Sequence, residues 1–190
     1  MPLTLKMLLI GLFVLLGACS SAPINYHTLT PAQPASTARG PAGVEILLER
    51  VTVPAQVDRS QIVIREGNSG LVILETEWWG ASLSEEIQTA LIDQLNARPS
   101  SSAAAPQKTV LRVDFQRFDS IPGQYALLDA KWRLRNSAAS TTAGQTACRT
   151  IVQTPAGTSI DELVAAHQVN LQKLAAAIVS TSQGGRCPAQ

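Results

Sequence analysis

Two neighbouring stretches in the second half of the chain, "TVLRVDFQRF" (109–118) and "YALLDAKWRLR" (125–135), alternate apolar and polar side chains with a period of two. Successive side chains of a strand point to opposite faces, so Leu111, Val113 and Phe115 line one face and Arg112, Asp114 and Gln116 the other. Ala126, Leu128, Ala130, Trp132 and Leu134 repeat the pattern, and "SIPG" supplies the connection between the two strands. A third segment, "QTACRTIVQ", completes an antiparallel meander. A sheet with one apolar face needs a second layer to cover it.

Two amphipathic helices are available as that cover. Ser82 and Glu85 form a Ser-x-x-Glu capping box ahead of Leu83, Ile87, Leu91 and Leu95, and the helix is predicted to end near Asn96, before Pro99. Ser159 and Glu162 repeat the box ahead of Ile160, Val164, Leu171, Leu174 and Ile178, with Gly184-Gly185 as the stop. Upstream, "VEILLERVTVP" reads as a buried strand stopped by Pro54. "QIVIRE" and "LVILETEWW" flank "GNSG" and read as a hairpin. The order βββαβββα predicts a two-layer α+β domain over residues 44–182, with a mainly antiparallel sheet, both helices packed on it and a tail over 183–190.

The N-terminus is of another kind. Met7 to Leu16 is apolar but for Gly11, and Lys6 is the only charged side chain before Cys19. That is a secretory signal layout; a spanning helix would need about 20 apolar residues, and Ser20 and Ser21 follow at once. Leu16-Gly17-Ala18-Cys19 resembles the bacterial lipobox. The resemblance implies that residues 1–18 are removed and that Cys19 carries a diacylglycerol thioether and an acylated amino group. An uncleaved membrane anchor is the alternative. Ser20, where an Asp would favour retention at the inner membrane, implies the periplasmic leaflet of the outer membrane. Residues 19–43 are rich in Ser, Ala, Pro, Thr and Gly and read as a tether spanning about 25–30 Å, in which Tyr26 and Leu29 can pin a short stretch to the domain.

Loss of residues 1–18 from the 190 leaves 172, and loss of Lys6 brings the 15 basic residues to 14, equal to the 14 acidic ones. A neutral chain lacks the electrostatic footprint of a nucleic-acid binder. Cys148 and Cys187 remain, and in an oxidising periplasm such a pair commonly forms a disulfide; a thiol redox pair would call for C-x-x-C spacing.

Catalytic apparatus is not visible. There are two histidines, His27 in the tether and His167 on the apolar stripe of the last helix, where it reads as a satisfied histidine at the core edge. No H-x-x-x-H or H-E-x-x-H points to a metal, and no G-x-S-x-G, P-loop or G-x-G-x-x-G points to a nucleophile or cofactor. Asp93, Asp114, Asp119 and Asp129 fall on positions expected to be solvated. Trp78 and Trp79 are adjacent on a strand, so at most one enters the core there; the other is a candidate for an interface or lipid contact, or packs beneath the following helix.

Together, "LGACSS…YHTL", "VTVPAQVDRSQIVIRE", "EWWGASLSEEIQTALIDQL", "LRVDFQRFDSIPGQYALLDAKWRLRN" and "HQVNLQKLAAAIV" resemble, in order, the PqiC-like family of ABC-type transport auxiliary lipoproteins. The most specific pieces are Val53 to Arg65 and Arg117 to Arg135; Glu77-Trp78-Trp79-Gly80-Ala81 departs from the family's Arg-Trp pattern and leaves open which Trp takes its role. The resemblance implies a lipid-anchored outer-membrane protein, not an enzyme, that needs no cofactor. Its expected partners are an MCE-domain tunnel protein of an ABC-type transporter and further copies of itself in a ring. Asp58, Arg59, Trp78 and Trp79 are candidate contact residues, with a local salt bridge or turn as the alternative for the Asp-Arg pair. Two other readings stand beside this one: an envelope-scaffolding or assembly lipoprotein without a transporter, and a periplasmic hydrolase built on a nucleophile next to His167.

Overall fold

The computed structural model describes residues 22–32, 44–96, 107–137 and 145–188. Seven strands and two helices follow in the order β1 (Asn25–His27), β2 (Val44–Thr52), β3 (Gln61–Glu66), β4 (Gly70–Trp79), α1 (Leu83–Leu95), β5 (Gln107–Ile121), β6 (Tyr125–Asn136), β7 (Gln145–Pro155) and α2 (Ile160–Ser182). The fold is α+β. The strands divide into two mixed sheets, β1-β4-β3 and β2-β5-β6-β7, where the sequence predicts one.

The antiparallel part is the predicted meander. β5 pairs with β6 from Thr109↔Asn136 to Ile121↔Tyr125, and β6 with β7 from Tyr125↔Pro155 to Arg135↔Gln145. Gly123, with φ of 74°, occupies the left-handed position that the β5–β6 turn requires. Leu111, Val113, Leu128, Ala130, Trp132 and Leu134 are buried on the inner face. The indole N–H of Trp132 donates to Thr150 Oγ1 at 2.9 Å, so the largest core side chain leaves no polar atom unpaired.

The two parallel pairings are what sequence periodicity does not reveal. β2 runs parallel to β5 at the sheet edge, with an irregularity between Leu48 and Arg50, and only its Ile46 is fully buried. It is therefore an edge strand and not the buried strand that its apolar run predicts. β1 runs parallel to the end of β4, pairing Tyr26 with Trp78, and so draws Asn25–His27 out of the predicted tether into a sheet.

Both helices start at their predicted boxes. Ser159 N–H donates to Glu162 Oε2 and Glu162 N–H to Ser159 Oγ, each at 3.2 Å, and Ser82 N–H donates to Glu85 Oε2 at 3.2 Å. α1 ends on Asn96, and Gly184, at φ 90°, follows α2. α2 covers β5, β6 and β7 while α1 packs against α2 and β2, which closes one core around Ile87, Leu91, Trp132, Leu171, Leu174 and Ile178. Cys148 on β7 and Cys187 beyond α2 are joined by a disulfide, with Cα atoms 5.5 Å apart. No helix among the described residues is long and apolar enough to cross a membrane.

Candidate functional site

Residues upstream of β2 are held more firmly than a tether would be. Leu29 is fully buried. The carboxylate of the buried Glu86, on α1, accepts from Leu29 N–H at 2.9 Å and from the Thr28 hydroxyl at 2.8 Å. Gly80 N–H donates to His27 O at 2.9 Å, and the Gln168 side-chain amide of α2 donates to Thr28 O at 3.0 Å. His27 Nε2 lies 2.6 Å from Glu77, its Nδ1 lies 3.3 Å from Asp161 at the start of α2, and the His27 and Asn25 hydrogen bonds hold the Glu77 carboxyl below its usual range. Strand β1 is thus locked at the N-terminal end of α2.

The candidate contact residues meet beside this lock. Trp79 N–H donates to Ser60 O at 2.6 Å, which joins the 54–60 loop to the end of β4. Trp79 is buried; Trp78 is partly exposed, stacks edge-on against Tyr26 and donates its indole N–H to Glu75 O at 2.9 Å. Asp58 Oδ1 accepts from Ser84 N–H at 3.1 Å in the first turn of α1, so it acts as a helix cap supplied by a distant loop. Arg59 has a buried Nε with no partner. Asp58 and Trp79 thus have internal roles, whereas the side chain of Trp78 is presented outward. Cys19 lies outside the described residues.

Two of the four aspartates expected in solvent are buried. Asp119 is 5% exposed and Asp129 4%, while Asp93 is exposed and Asp114 half-buried. Asp119 is shared by two guanidinium groups: Arg65 Nη2 donates at 3.2 Å across from β3, and Arg117 pairs with the second oxygen. Arg149 grips Asp129 with two bonds, of 2.8 and 2.5 Å, which lower its pKa. Burial is tolerable because each carboxylate is paired and hydrogen-bonded. Arg117 is a local partner on the same strand, two residues before Asp119, but Arg65 and Arg149 lie far away in sequence on other strands. Arg65 and Arg117 also border an open groove of about 870 Å³ between the β3–β4 and β5–β6 turns, with Pro122 and Tyr125 on its other side.

Toward the other end of the large sheet the outer face is basic. Arg112 and Arg133 are direct register partners, as are Lys131 and Arg149, although like charges facing across a pair of strands cost stability. Glu49 takes up Arg112 with bonds of 2.8 and 2.5 Å and also feels the charge of Arg135, while the side chains of Arg133 and Arg135 stay exposed. With Gln145 these side chains line a crevice of about 310 Å³. The crevice lies at the disulfide end of the sheet, since Arg133 pairs with Ala147, next to Cys148.

His167 is fully buried, not at the core edge. Its ring stacks on Phe118 with centroids 3.9 Å apart, and its Nε2 lies 2.8 Å from Ser120 Oγ. Seryl oxygen beside imidazole is the first half of a hydrolase site. Here both groups are buried, no hydrogen-bond partner orients Nδ1, and the crevice that Ser120 borders is about 30 Å³, the volume of one water. Burial pushes the imidazole pKa down to about 3, so the ring is neutral and serves as packing. Among the described residues no group of His, Cys, Asp and Glu could hold a metal ion.

Residues 27–179 match the family model described as ABC-type transport auxiliary lipoprotein component. The chain belongs to this family. As an ABC-type transport auxiliary lipoprotein component it is a transport-associated, membrane-anchored protein of the cell envelope, in a family that is not one of enzymes. Its fold is shared with solved structures. Protein XCC0632 from Xanthomonas campestris is 16% identical, with TM-score 0.64 over 85% of this chain and 95% of that one. A structure described as an uncharacterized protein is 15% identical, with TM-score 0.63 over 85% of this chain and 99% of the other. No curated protein sequence matches the chain.

Proposed function

We propose that the protein is an outer-membrane-anchored periplasmic subunit of an MCE-type ABC transport system. Acylated Cys19 fixes it to the periplasmic leaflet, and its α+β domains gather as a ring at the end of an MCE-domain tunnel protein. The tunnel carries phospholipid or related hydrophobic cargo between membranes, and the subunit contributes attachment and no chemistry. The observation that carries this reading is the family match over residues 27–179, joined to the lipobox at Leu16–Cys19.

The surface that best fits a docking role is the basic crevice. The exposed Arg133 and Arg135 project from the meander and offer planar, bidentate donors to carboxylates of a partner. Docking of this kind is sensitive to salt, because rim charges are screened over about 8–10 Å at ordinary ionic strength. The double variant Arg133→Glu, Arg135→Glu is expected to reduce co-purification of the MCE-domain protein from native membranes at least tenfold while leaving the unfolding transition unchanged. Full recovery with both arginines reversed would reject the crevice, and steady recovery of envelope-assembly proteins in place of any MCE protein would favour the scaffolding reading.

A further inference from the structure

Five residues separate Cys19 from β1, which begins at Asn25. An extended chain advances at most about 3.3–3.6 Å per residue, so the six steps from Cys19 to Asn25 reach about 20 Å. A folded unit of this length is about 40 Å across by the usual scaling of compact chains. An anchor of about half that width keeps the β1 edge within about 20 Å of the bilayer, on the membrane side of the domain. It does not let the domain stand clear, as a tether running on to residue 43 would.

What that edge presents suits such a position. Asn25 and His27 point to one side, where both bond Glu77, and the alternation of an extended segment sends Ile24 and Tyr26 to the other. Tyr26 is 67% exposed and Ile24 42%. The ring of Trp78 meets Tyr26 edge-on with centroids 6.4 Å apart, its indole N–H already satisfied by Glu75 O. Aromatic side chains with an apolar body and a polar rim favour the boundary between headgroups and acyl chains. The Glu86, Gly80 and Gln168 bonds keep the patch in place, so little ordering remains to be done on contact.

We infer that Ile24, Tyr26 and Trp78 seat the domain directly on the phospholipid surface beside the acyl chains of Cys19. The inference rests on the lipoprotein reading of Cys19. It also sets an orientation: β1 lies at the N-terminal end of α2, whose 23 residues extend about 35 Å toward the disulfide and the basic crevice. The crevice therefore faces away from the membrane that holds the anchor.

The test uses the full lipidated protein in vesicles of phosphatidylethanolamine and phosphatidylglycerol whose acyl chains carry bromine, a short-range quencher of tryptophan. Trp79 and Trp132 are buried, so quenching reports Trp78. Clear quenching in the wild type, reduced at least twofold in Trp78→Phe, is the expected result. Equal quenching in both, or none, with acylation of Cys19 verified by mass spectrometry on the same sample, would overturn the seating and leave the anchor standing. Protection of Trp78 together with cross-linking of Tyr26→Cys to a second copy would make the patch a subunit contact and overturn it likewise. An unmodified Cys19 would overturn the lipoprotein reading and the seating together.

Discussion

At the scale of single residues, the buried His167 makes the fold sensitive to mild acid. Its pKa is about 3 in the folded protein, against an ordinary value of 6.5. Between those values the unfolded chain takes up a proton that the folded chain refuses, so the stability is fully present above pH 6.5 and drains away as pH falls, by about 1.4 kcal/mol per unit. Unfolding in urea at pH 7 and pH 5 should differ by about 2 kcal/mol more in the wild type than in His167→Gln. An equal difference in both would mean that the imidazole is protonated in place. The pair Asp129–Arg149 titrates in a lower window, because Arg149 lowers the carboxyl pKa and its contribution is lost only below the ordinary Asp value of about 4. That Trp78 and Trp79 face opposite ways is legible in sequence, since strand geometry separates adjacent side chains, but which of them is buried is not. The burial of Asp119 and Asp129 is not legible: although Arg117 stands two residues from Asp119, the partners that close the pairs, Arg65 and Arg149, stand 54 and 20 residues away on other strands.

At the scale of elements, legibility follows how local each instruction is. A capping box spans four residues and a two-residue period spans a few more, so α1, α2, β5 and β6 are predicted with their boundaries nearly correct. The β1–β4 and β2–β5 pairings are parallel and join segments about 50–60 residues apart. Their existence depends on tertiary packing; the sequence lets Tyr26 and Leu29 pin a short stretch to the domain but predicts neither the second sheet nor a strand at Asn25–His27. The disulfide acts between elements, tying the segment after α2 to β7 across a sequence separation of 39. Closing a loop of that size is worth roughly 3–4 kcal/mol through the unfolded chain. Cys187→Ser is expected to lower stability by about that amount and to remove the effect of reductant on the melting temperature. A melting temperature equally sensitive to reductant in the variant would contradict this.

At the scale of the whole molecule, the buried Glu86 clamp holds residues that the sequence assigns to a tether, and in the proposed seating the five-residue link to Cys19 makes them a mounting point. One end of the domain carries Ile24, Tyr26 and Trp78, the other the disulfide and the exposed Arg133 and Arg135. Between them lies a core whose Ser120–His167 contact is packed out of reach of a substrate. A rigid body with an anchor at one end and charge at the other is suited to hold a partner at a fixed place relative to a membrane. The most direct measurement is chemical cross-linking of the protein in intact cells, followed by mass spectrometry of the adducts. The account predicts adducts between the arginine-crevice end of the domain and an MCE-domain protein, together with adducts between neighbouring copies of the chain. Reproducible adducts with other envelope proteins alone, from a correctly acylated and folded sample, would contradict it.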